Sequence, residues 1–335
     1  MTAPEHDAPP ATPFAGLTPD VILDAVEGLD YRCDGRLLAL NSYENRVYQV
    51  GIEDGPPVIA KFYRAGRWPA AAILEEHAFA RELAEFEIPV VAPLAANGAT
   101  LHEYLDFRFA LYPRRPGRAP EIDSPETLNW LGRFIARIHA VGEIRPFEHR
   151  PALGIERLGV EPSRWLLAHD FIPPDLRAAY ESVIDDALAR VRDGFGRAGD
   201  LAQLRLHGDC HLGNILWSEA GPCFVDLDDC MNGPAIQDLW LLLSGGRAEM
   251  EGQLAEVVDG YRDFMEFDPA GLHLVEALRT LRIIHYAAWL ARRWDDPAFP
   301  LAFPWFNTQR YWQDHILALR EQLAAMDEPP LAIAP

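Results

Sequence analysis

Lysine is almost absent: of the 30 basic residues in this 335-residue chain, 29 are arginine and only Lys61 is lysine. A basic stripe is missing too, because 51 acidic residues leave a formal charge of −21, which argues against nucleic acid or an anionic membrane surface as a partner. No apolar run reaches membrane-spanning length and no signal-peptide pattern precedes the domain, so a cytoplasmic chain with no membrane partner is expected. Cysteine is scarce, and Cys33, Cys210, Cys223 and Cys230 show neither a C-x-x-C nor a paired zinc spacing. Reduced thiols are the simplest expectation. A Walker A loop is excluded because the one lysine lacks that context. What is present is a chain 49% hydrophobic, long enough for two lobes with separate cores.

The most informative stretch is His207-Gly208-Asp209-Cys210-His211-Leu212-Gly213-Asn214, followed by a hairpin ending in Phe224-Val225-Asp226. Asp209 precedes Asn214 by the interval of the protein-kinase pattern H-R-D-L-x-x-x-N, in which the Asp orients and deprotonates a hydroxyl and the Asn holds a metal ion. Asp226 supplies a second metal-holding group. Phosphoryl transfer makes little covalent demand: two oxygens must be held in line while charge is neutralised by Mg2+, a hard cation that prefers carboxylate and amide oxygens. An Asp after Gly is often only a turn-former; the separations to Asn214 and Asp226 point to chemistry instead.

Lys61 lies in the apolar run Val58-Ile59-Ala60-Lys61-Phe62-Tyr63, which reads as a strand and matches the kinase V-A-I-K pattern. A compact ammonium fits between phosphate oxygens and a carboxylate where a planar guanidinium does not. The carboxylate is expected on the helix that follows Pro69, where Glu76 shares the side of Ile73, Phe79, Ala80 and Leu83. Glu75 is the alternative, one residue of register away. Upstream, strands at Leu37–Leu40 and Val47–Ile52 are joined by Asn41-Ser42-Tyr43-Glu44-Asn45-Arg46. This turn is not glycine-rich, yet the hydroxyl and amides of Ser42 suit nucleotide phosphates as well as they suit an ordinary turn.

These segments, with the run Ala288-Trp289-Leu290-Ala291-Arg292-Arg293-Trp294-Asp295-Asp296-Pro297-Ala298-Phe299-Pro300, resemble a bacterial stress-response branch of the aminoglycoside phosphotransferase and choline kinase superfamily. The resemblance covers nearly all of the chain beyond the first fifteen residues. It implies an α+β, bilobal, protein-kinase-like (aminoglycoside phosphotransferase-like) fold, with a small β-rich N-lobe and a larger, mainly helical C-lobe. It further implies ATP as co-substrate and Mg2+ as metal, Asp209 as proton acceptor, Asn214 and Asp226 as metal ligands, and Ser42 at the ATP phosphates. The implied reaction is that of a Ser/Thr protein kinase in stress response acting on a protein partner; apart from the resemblance, a monomer is expected. Superfamily members also phosphorylate sugars, choline and homoserine, so a small-molecule alcohol kinase is the alternative.

The expected organisation is a poorly ordered tail at 1–15, a nucleotide-binding N-lobe at 16–112, a C-lobe with the catalytic loop and acceptor site at 113–328, and a tail at 329–335. Tyr112-Pro113-Arg114 is the hinge. Helices are predicted over Leu128–His139, near Pro174–Val191 and from Leu274 to Ala291. Gly208 stands where protein kinases place the Arg that pairs with a phosphorylated activation loop, and only eleven residues separate Asp226 from Asp238. Control by loop phosphorylation is therefore not expected. Asp238 either caps the helix Leu239–Leu243 or bonds the catalytic-loop backbone. Cys210, inside that loop, is a candidate for oxidative control. The aromatic residues from Trp289 to Trp312 suit a packed core better than an acceptor groove, and Arg292-Arg293 suits an acidic acceptor or a helix C-terminus.

Overall fold

The computed structural model describes residues 13–122 and 124–333; most of the expected N-terminal tail, residues 1–12, and the last two residues lie outside them. The chain divides into two compact units.

The first unit comprises residues up to Leu74, then Ala92–Arg114 and Arg293–Pro304. Thr18 starts helix α1 (Pro19–Glu27), its Oγ1 accepting from the Val21 amide at 3.3 Å ahead of a proline in the first turn. Strands β1 (Cys33–Ala39), β2 (Arg46–Ile52), β3 (Val58–Phe62), β4 (His102–Tyr104) and β5 (Phe107–Pro113) form an antiparallel sheet in the order β1-β2-β3-β5-β4. β1 begins four residues before the predicted strand, because its first half is polar and irregular, with Gly35 at φ +82°. The two-residue period of β3 sends Val58, Ala60 and Phe62 into a core with Ile22 and Val26 of α1, and Lys61 to the opposite face. Helix α2 (Ala70–Glu85) begins in this unit.

The second unit comprises Glu75–Val91, Arg115–Arg292 and Trp305 onward. It holds helices α3 (Pro125–Glu143), α4 (Glu161–Ala168, entered through a π turn at Glu156–Val160) and α5 (Arg177–Ala198). The two-stranded pieces β6 (Leu204–Leu206), β7 (Ile215–Ser218), β8 (Gly221–Phe224) and β9 (Met231–Gly233) follow. After them come α6 (Ile236–Trp240), α7 (Arg247–Tyr261) and α8 (Val275–Ala291); α9 (Ala298–Ala302) belongs to the first unit, and α10 (Gln309–Asp327) ends the second. α3 and α7 pack at backbone distance: a Cβ on Gly132 would stand 2.0 Å from the Val257 carbonyl, and one on Gly260 2.0 Å from that of Asn129.

The spacing Gly194-Phe195-Gly196-Arg197-Ala198-Gly199 formally matches G-x-G-x-x-G, but it forms the C-terminal end of α5 and not a strand-to-helix turn, so it offers no phosphate cradle. Among the described residues no helix is long and apolar enough to cross a membrane.

Arg293–Pro304, counted with the C-lobe from sequence, packs with the sheet unit. Half of the C-terminal aromatics are core: Phe299, Phe306 and Trp312 are at most 2% exposed and Phe303 is buried too, while Trp305 is exposed. Of the paired arginines, Arg292 is the C-cap of α8, as one of the two readings had it, and bonds Glu161 at 2.5 Å, while Arg293 meets Glu44 at 2.6 Å.

Candidate active site

In the second unit, β6 pairs antiparallel with β9 (Leu206 opposite Met231), and β7 pairs with β8 (Ile215 opposite Phe224). The loop His207–Asn214 runs from β6 to β7, and Asp226 follows β8 directly. Two short ladders therefore bring the loop and Asp226 to one end of this unit. Three bonds pin the arrangement: the Val225 amide donates to the Asn214 carbonyl at 2.9 Å, His207 Nε2 lies 2.9 Å from the Val225 carbonyl, and the Phe224 amide donates to Pro89 at 2.7 Å.

Asn214 Nδ2 donates to the Asp209 carbonyl at 2.9 Å and lies 3.5 Å from Asp209 Oδ2, leaving its amide oxygen as the side chain's acceptor. Asp226 adopts the left-handed conformation at φ 59°, ψ 64°, one of the few such sites a non-glycine residue accepts readily and one common where function fixes the backbone. Both potential ligands are hard oxygen donors. Among the described residues no group of three or more His, Cys, Asp or Glu gathers as a metal site. One carboxylate and one amide suit Mg2+, which is ordinarily completed by phosphate and water oxygens.

Asp209 is held by a guanidinium and by an imidazole whose Nδ1 accepts from the Gly213 amide at 2.9 Å. Arg282 Nη1 of α8 reaches Oδ1 at 2.7 Å, and His211 Nε2 stands 3.5 Å from Oδ2. Burial alone would raise this carboxyl, but His211 and the Arg282 charge outweigh it and hold it well below the usual carboxylate range.

The loop backbone rests on Asp238. This residue is fully buried inside α6, and does not cap it; its Oδ2 accepts from the His207 amide at 2.9 Å and its Oδ1 from the Gly208 amide at 2.8 Å. Of the two readings left open by sequence, the catalytic-loop bond is the one present. Asp238 is in turn bonded by His139 Nε2 of α3 at 3.0 Å, whose Nδ1 lies 2.9 Å from the Tyr261 hydroxyl. Gly208, at φ +85°, has no room for a side chain: a Cβ there would lie 2.1 Å from the Asp229 carbonyl. This explains its departure from the Arg of the protein-kinase pattern. Cys210 is fully buried, and burial with Asp238 and Asp209 nearby pushes its thiol well up, which suppresses the reactive thiolate and removes the basis for oxidative control.

On α2, Glu75 and Glu76 part company. Glu75 accepts from the amides of Glu148, His149 and Arg150 at 2.6–2.8 Å, fixing that loop. Glu76 is 3% exposed, with Arg150 Nη1 at 4.0 Å.

In the first unit, Lys61 lies opposite Val47 and Ala110 in the sheet, is 6% exposed, and has its ammonium 5.3 Å from the centre of the Tyr63 ring. Ser42 Oγ donates to the Asn45 carbonyl at 3.2 Å, an internal turn bond. The turn is braced further: Arg64 bonds Glu44 at 3.1 Å and Asp296 at 2.7 Å, its amide donates to Asn45 Oδ1 at 3.1 Å, and Tyr43 packs on Phe303 at 4.8 Å between ring centres. Arg282, His139, Tyr261 and Asp296 carried no signal that the sequence reading used. A lone histidine on the apolar stripe of α3 is the one clue that was there to find.

An Asp bonded to an Asn, a second Asp directly after the Val225 that bonds that Asn, and, in the sheet unit, a buried lysine on a strand are the residue types of a kinase-type phosphotransferase. Residues 36–278 match the model of the phosphotransferase enzyme family, APH, and the chain belongs to that family. It is 46% identical over 322 residues to "Stress response kinase A" of Escherichia coli (strain K12), covering 96% of this chain and 97% of that one. "Serine/threonine protein kinase RdoA" of Salmonella typhimurium (strain LT2) is 45% identical over the same length. Among solved structures, amicoumacin kinase hAmiN in complex with AMP-PNP, Ca2+ and Ami superposes with a TM-score of 0.68 at 20% identity, over 90% of this chain and 91% of that one. A microcompartment-associated aminopropanol kinase does so with 0.68 at 18%, over 91% and 96%. These structures share the bilobal fold.

Proposed function

We propose that this chain is an ATP- and Mg2+-dependent Ser/Thr protein kinase of stress response. The observation that carries the reading is the bonded set Asp209–Asn214, with Asp226 one residue beyond the Val225 amide that bonds Asn214. Identity of 46% over 96% of the chain to a protein named a stress response kinase supports the protein acceptor.

In this reading Asp209 accepts a hydrogen bond from the acceptor hydroxyl and then its proton, as the hydroxyl oxygen bonds to the γ-phosphorus. The bond from that phosphorus to the β,γ-bridging oxygen breaks, and ADP leaves. Asn214 and Asp226 would hold the metal, which neutralises phosphate charge when bound. Lys61, Glu76 and the turn containing Ser42 are assigned to the nucleotide. The ionised state of Asp209 suits this role, because a carboxylate that stays charged always presents an acceptor lone pair to the hydroxyl.

The test is incubation with Mg2+ and γ-labelled ATP, with and without a basic Ser/Thr protein, alongside a panel of small alcohols and an Asp209→Ala control. Label on protein Ser or Thr that disappears in the control is the expected result. Label on a small alcohol alone would move the chain to the metabolite-kinase side of its family.

A further inference from the structure

Among the described residues, Arg282 is the one side chain outside the catalytic loop that the structure places on Asp209, at 2.7 Å from Oδ1. The contact joins residues 73 positions apart, so it is made by the packing of α8 and not by local chain geometry. Leu278, Leu281 and Ile284 bury one face of α8, and the helical period then sets Arg282 at the edge of that face, 46% exposed in its side chain. Among the described residues its hydrogen bonding is to Asp209 alone. A guanidinium has five N–H donors, so Arg282 carries donors beyond the one that bonds Asp209.

Four and seven residues further along α8, on the same side, stand Tyr286 and Trp289. Their rings are stacked at 5.6 Å with 17° between planes, and Tyr286 is 40% exposed. At 1.5 Å per residue they lie about 6 and 10 Å along the axis from Arg282. An extended polypeptide advances about 3.3 Å per residue. The aromatic pair therefore falls where the second or third residue from an acceptor serine would lie.

We propose that this strip of α8 is the polypeptide-recognition element of the enzyme. In this proposal Arg282 fixes the Asp209 carboxylate with one N–H and binds a main-chain carbonyl beside the acceptor hydroxyl with others, while the Tyr286–Trp289 stack receives a flanking apolar or planar side chain. It deepens the protein-kinase reading and rests on it. A main-chain carbonyl accompanies every Ser or Thr in a polypeptide within a few bonds of its hydroxyl, so Arg282 would recognise the polypeptide, and the stack would supply preference. A guanidinium suits this double task better than an ammonium because its donors are fixed in a plane.

The test compares wild type with Arg282→Ala, Arg282→Lys and Tyr286→Ala on a degenerate Ser/Thr peptide library, on one preferred peptide, and on free L-serine and L-homoserine, with ATP varied separately. The expected result is a drop of at least about 30-fold in kcat/KM for peptide in Arg282→Ala, with KM for ATP within about twofold and part of the loss recovered by lysine. A loss of that size corresponds to about 2 kcal/mol of transition-state stabilisation. Tyr286→Ala should raise KM for peptides with an aromatic or aliphatic residue two or three positions from the serine, and leave glycine-flanked peptides unaffected. Peptide kinetics within twofold of wild type in Arg282→Ala would overturn the proposal. So would an equal rise in KM for ATP and for peptide, which is what a general loosening of the catalytic loop would produce. Should wild type label only the free hydroxy-amino acids, the protein-kinase reading and the polypeptide strip both fall. The same variants assayed on that acceptor would then show separately whether Arg282 positions the hydroxyl.

Discussion

Arg64 donates to Asp296 at 2.7 Å across 232 residues of sequence, with 9% and 4% of the two side chains exposed. Arg46 joins them at 3.3 Å, and the Ala298 amide donates to Asp296 Oδ1 at 3.1 Å, so one carboxylate ties Arg46, at the end of the Asn41–Arg46 turn, and Arg64, whose amide bonds Asn45 within it, to the start of α9. Kinases of the glycine-loop type cover the phosphates with a glycine-rich turn. The Asn41–Arg46 turn, which we assign to the nucleotide in the proposed reading, is not glycine-rich and is braced by ion pairs and by the contact of Tyr43 with Phe303.

Removing the acceptor should therefore leave a buried guanidinium without its closest partner. Asp296→Ala is expected to lower stability by about 3 kcal/mol, and Asp296→Asn by less, because the amide oxygen still accepts from Ala298. Denaturant midpoints at unchanged m-value would show this; a midpoint unmoved in Asp296→Ala would mean that the network contributes nothing net.

Gly208 is fixed by backbone geometry and by space together. Gly208→Ala must place a Cβ in the left-handed region and against the Asp229 carbonyl, at an expected cost of about 2 kcal/mol or more. Displacing the loop moves Asp209, so kcat should fall by at least tenfold while KM for ATP changes little. Wild-type kcat in the alanine variant would contradict the loop geometry.

The depressed carboxyl of Asp209 has a definite sign in pH experiments. Its folded value lies below the unfolded one, near 3.9, so its contribution to stability is complete above that unfolded value and is lost only as pH falls through the folded one. Between pH 5 and 8 Asp209 should add no inflection to kcat/KM. In Arg282→Ala the carboxyl should move up toward the ordinary range, bringing an acid limb closer to pH 4. Identical acid limbs in the two proteins would show that Arg282 does not set this charge.

What sequence disclosed and what it hid divide along chain separation. The elements of the catalytic loop lie within twenty residues of one another, and their chemistry depends on spacing, so Asp209, Asn214 and Asp226 could be singled out before any fold was known. α2 and α8 were legible because their apolar residues recur at helical intervals. Asp296, Arg282 and His139 meet their partners only after tertiary packing, and no local pattern encodes that. Glu75 and Glu76 differ by about 100° of helix rotation, and helical period alone did not show that Glu75 bonds the 148–150 amides. α5 runs beyond its predicted end through Gly194 and Gly196, residues of low helix propensity; Gly194 is buried, and a Cβ there would lie 3.2 Å from the His273 carbonyl, whereas Gly196 faces open space.

Lys61 provides a test that charge alone cannot satisfy. In a chain that uses arginine at every other cationic position, Lys61→Arg keeps the charge but puts a planar fork on a strand where the side chain is 6% exposed. Turnover should fall at least tenfold, with KM for ATP raised, because the fork cannot reproduce a point contact. Near-wild-type kinetics would remove Lys61 from the nucleotide site.

The relay Tyr261–His139–Asp238 offers the sharpest separation of stability from catalysis. Asp238 is 0% exposed and accepts two catalytic-loop amides, His139 Nε2 stands 3.0 Å from its Oδ2, and His139 Nδ1 lies 2.9 Å from the Tyr261 hydroxyl. Tyr261→Phe removes only the outer bond and is expected to cost about 1 kcal/mol, with kcat within about threefold of wild type. His139→Ala removes the side-chain partner of a buried carboxylate as well as packing volume, and should cost about 3 kcal/mol or more. Its kcat should fall with it, because Asp238 is then free to rotate away from the His207 and Gly208 amides. His139→Gln, which can return a single N–H to Asp238, should recover part of kcat without fully restoring stability. Equal kcat in all three variants, whatever their stabilities, would mean that the relay supports the fold and has no part in placing Asp209.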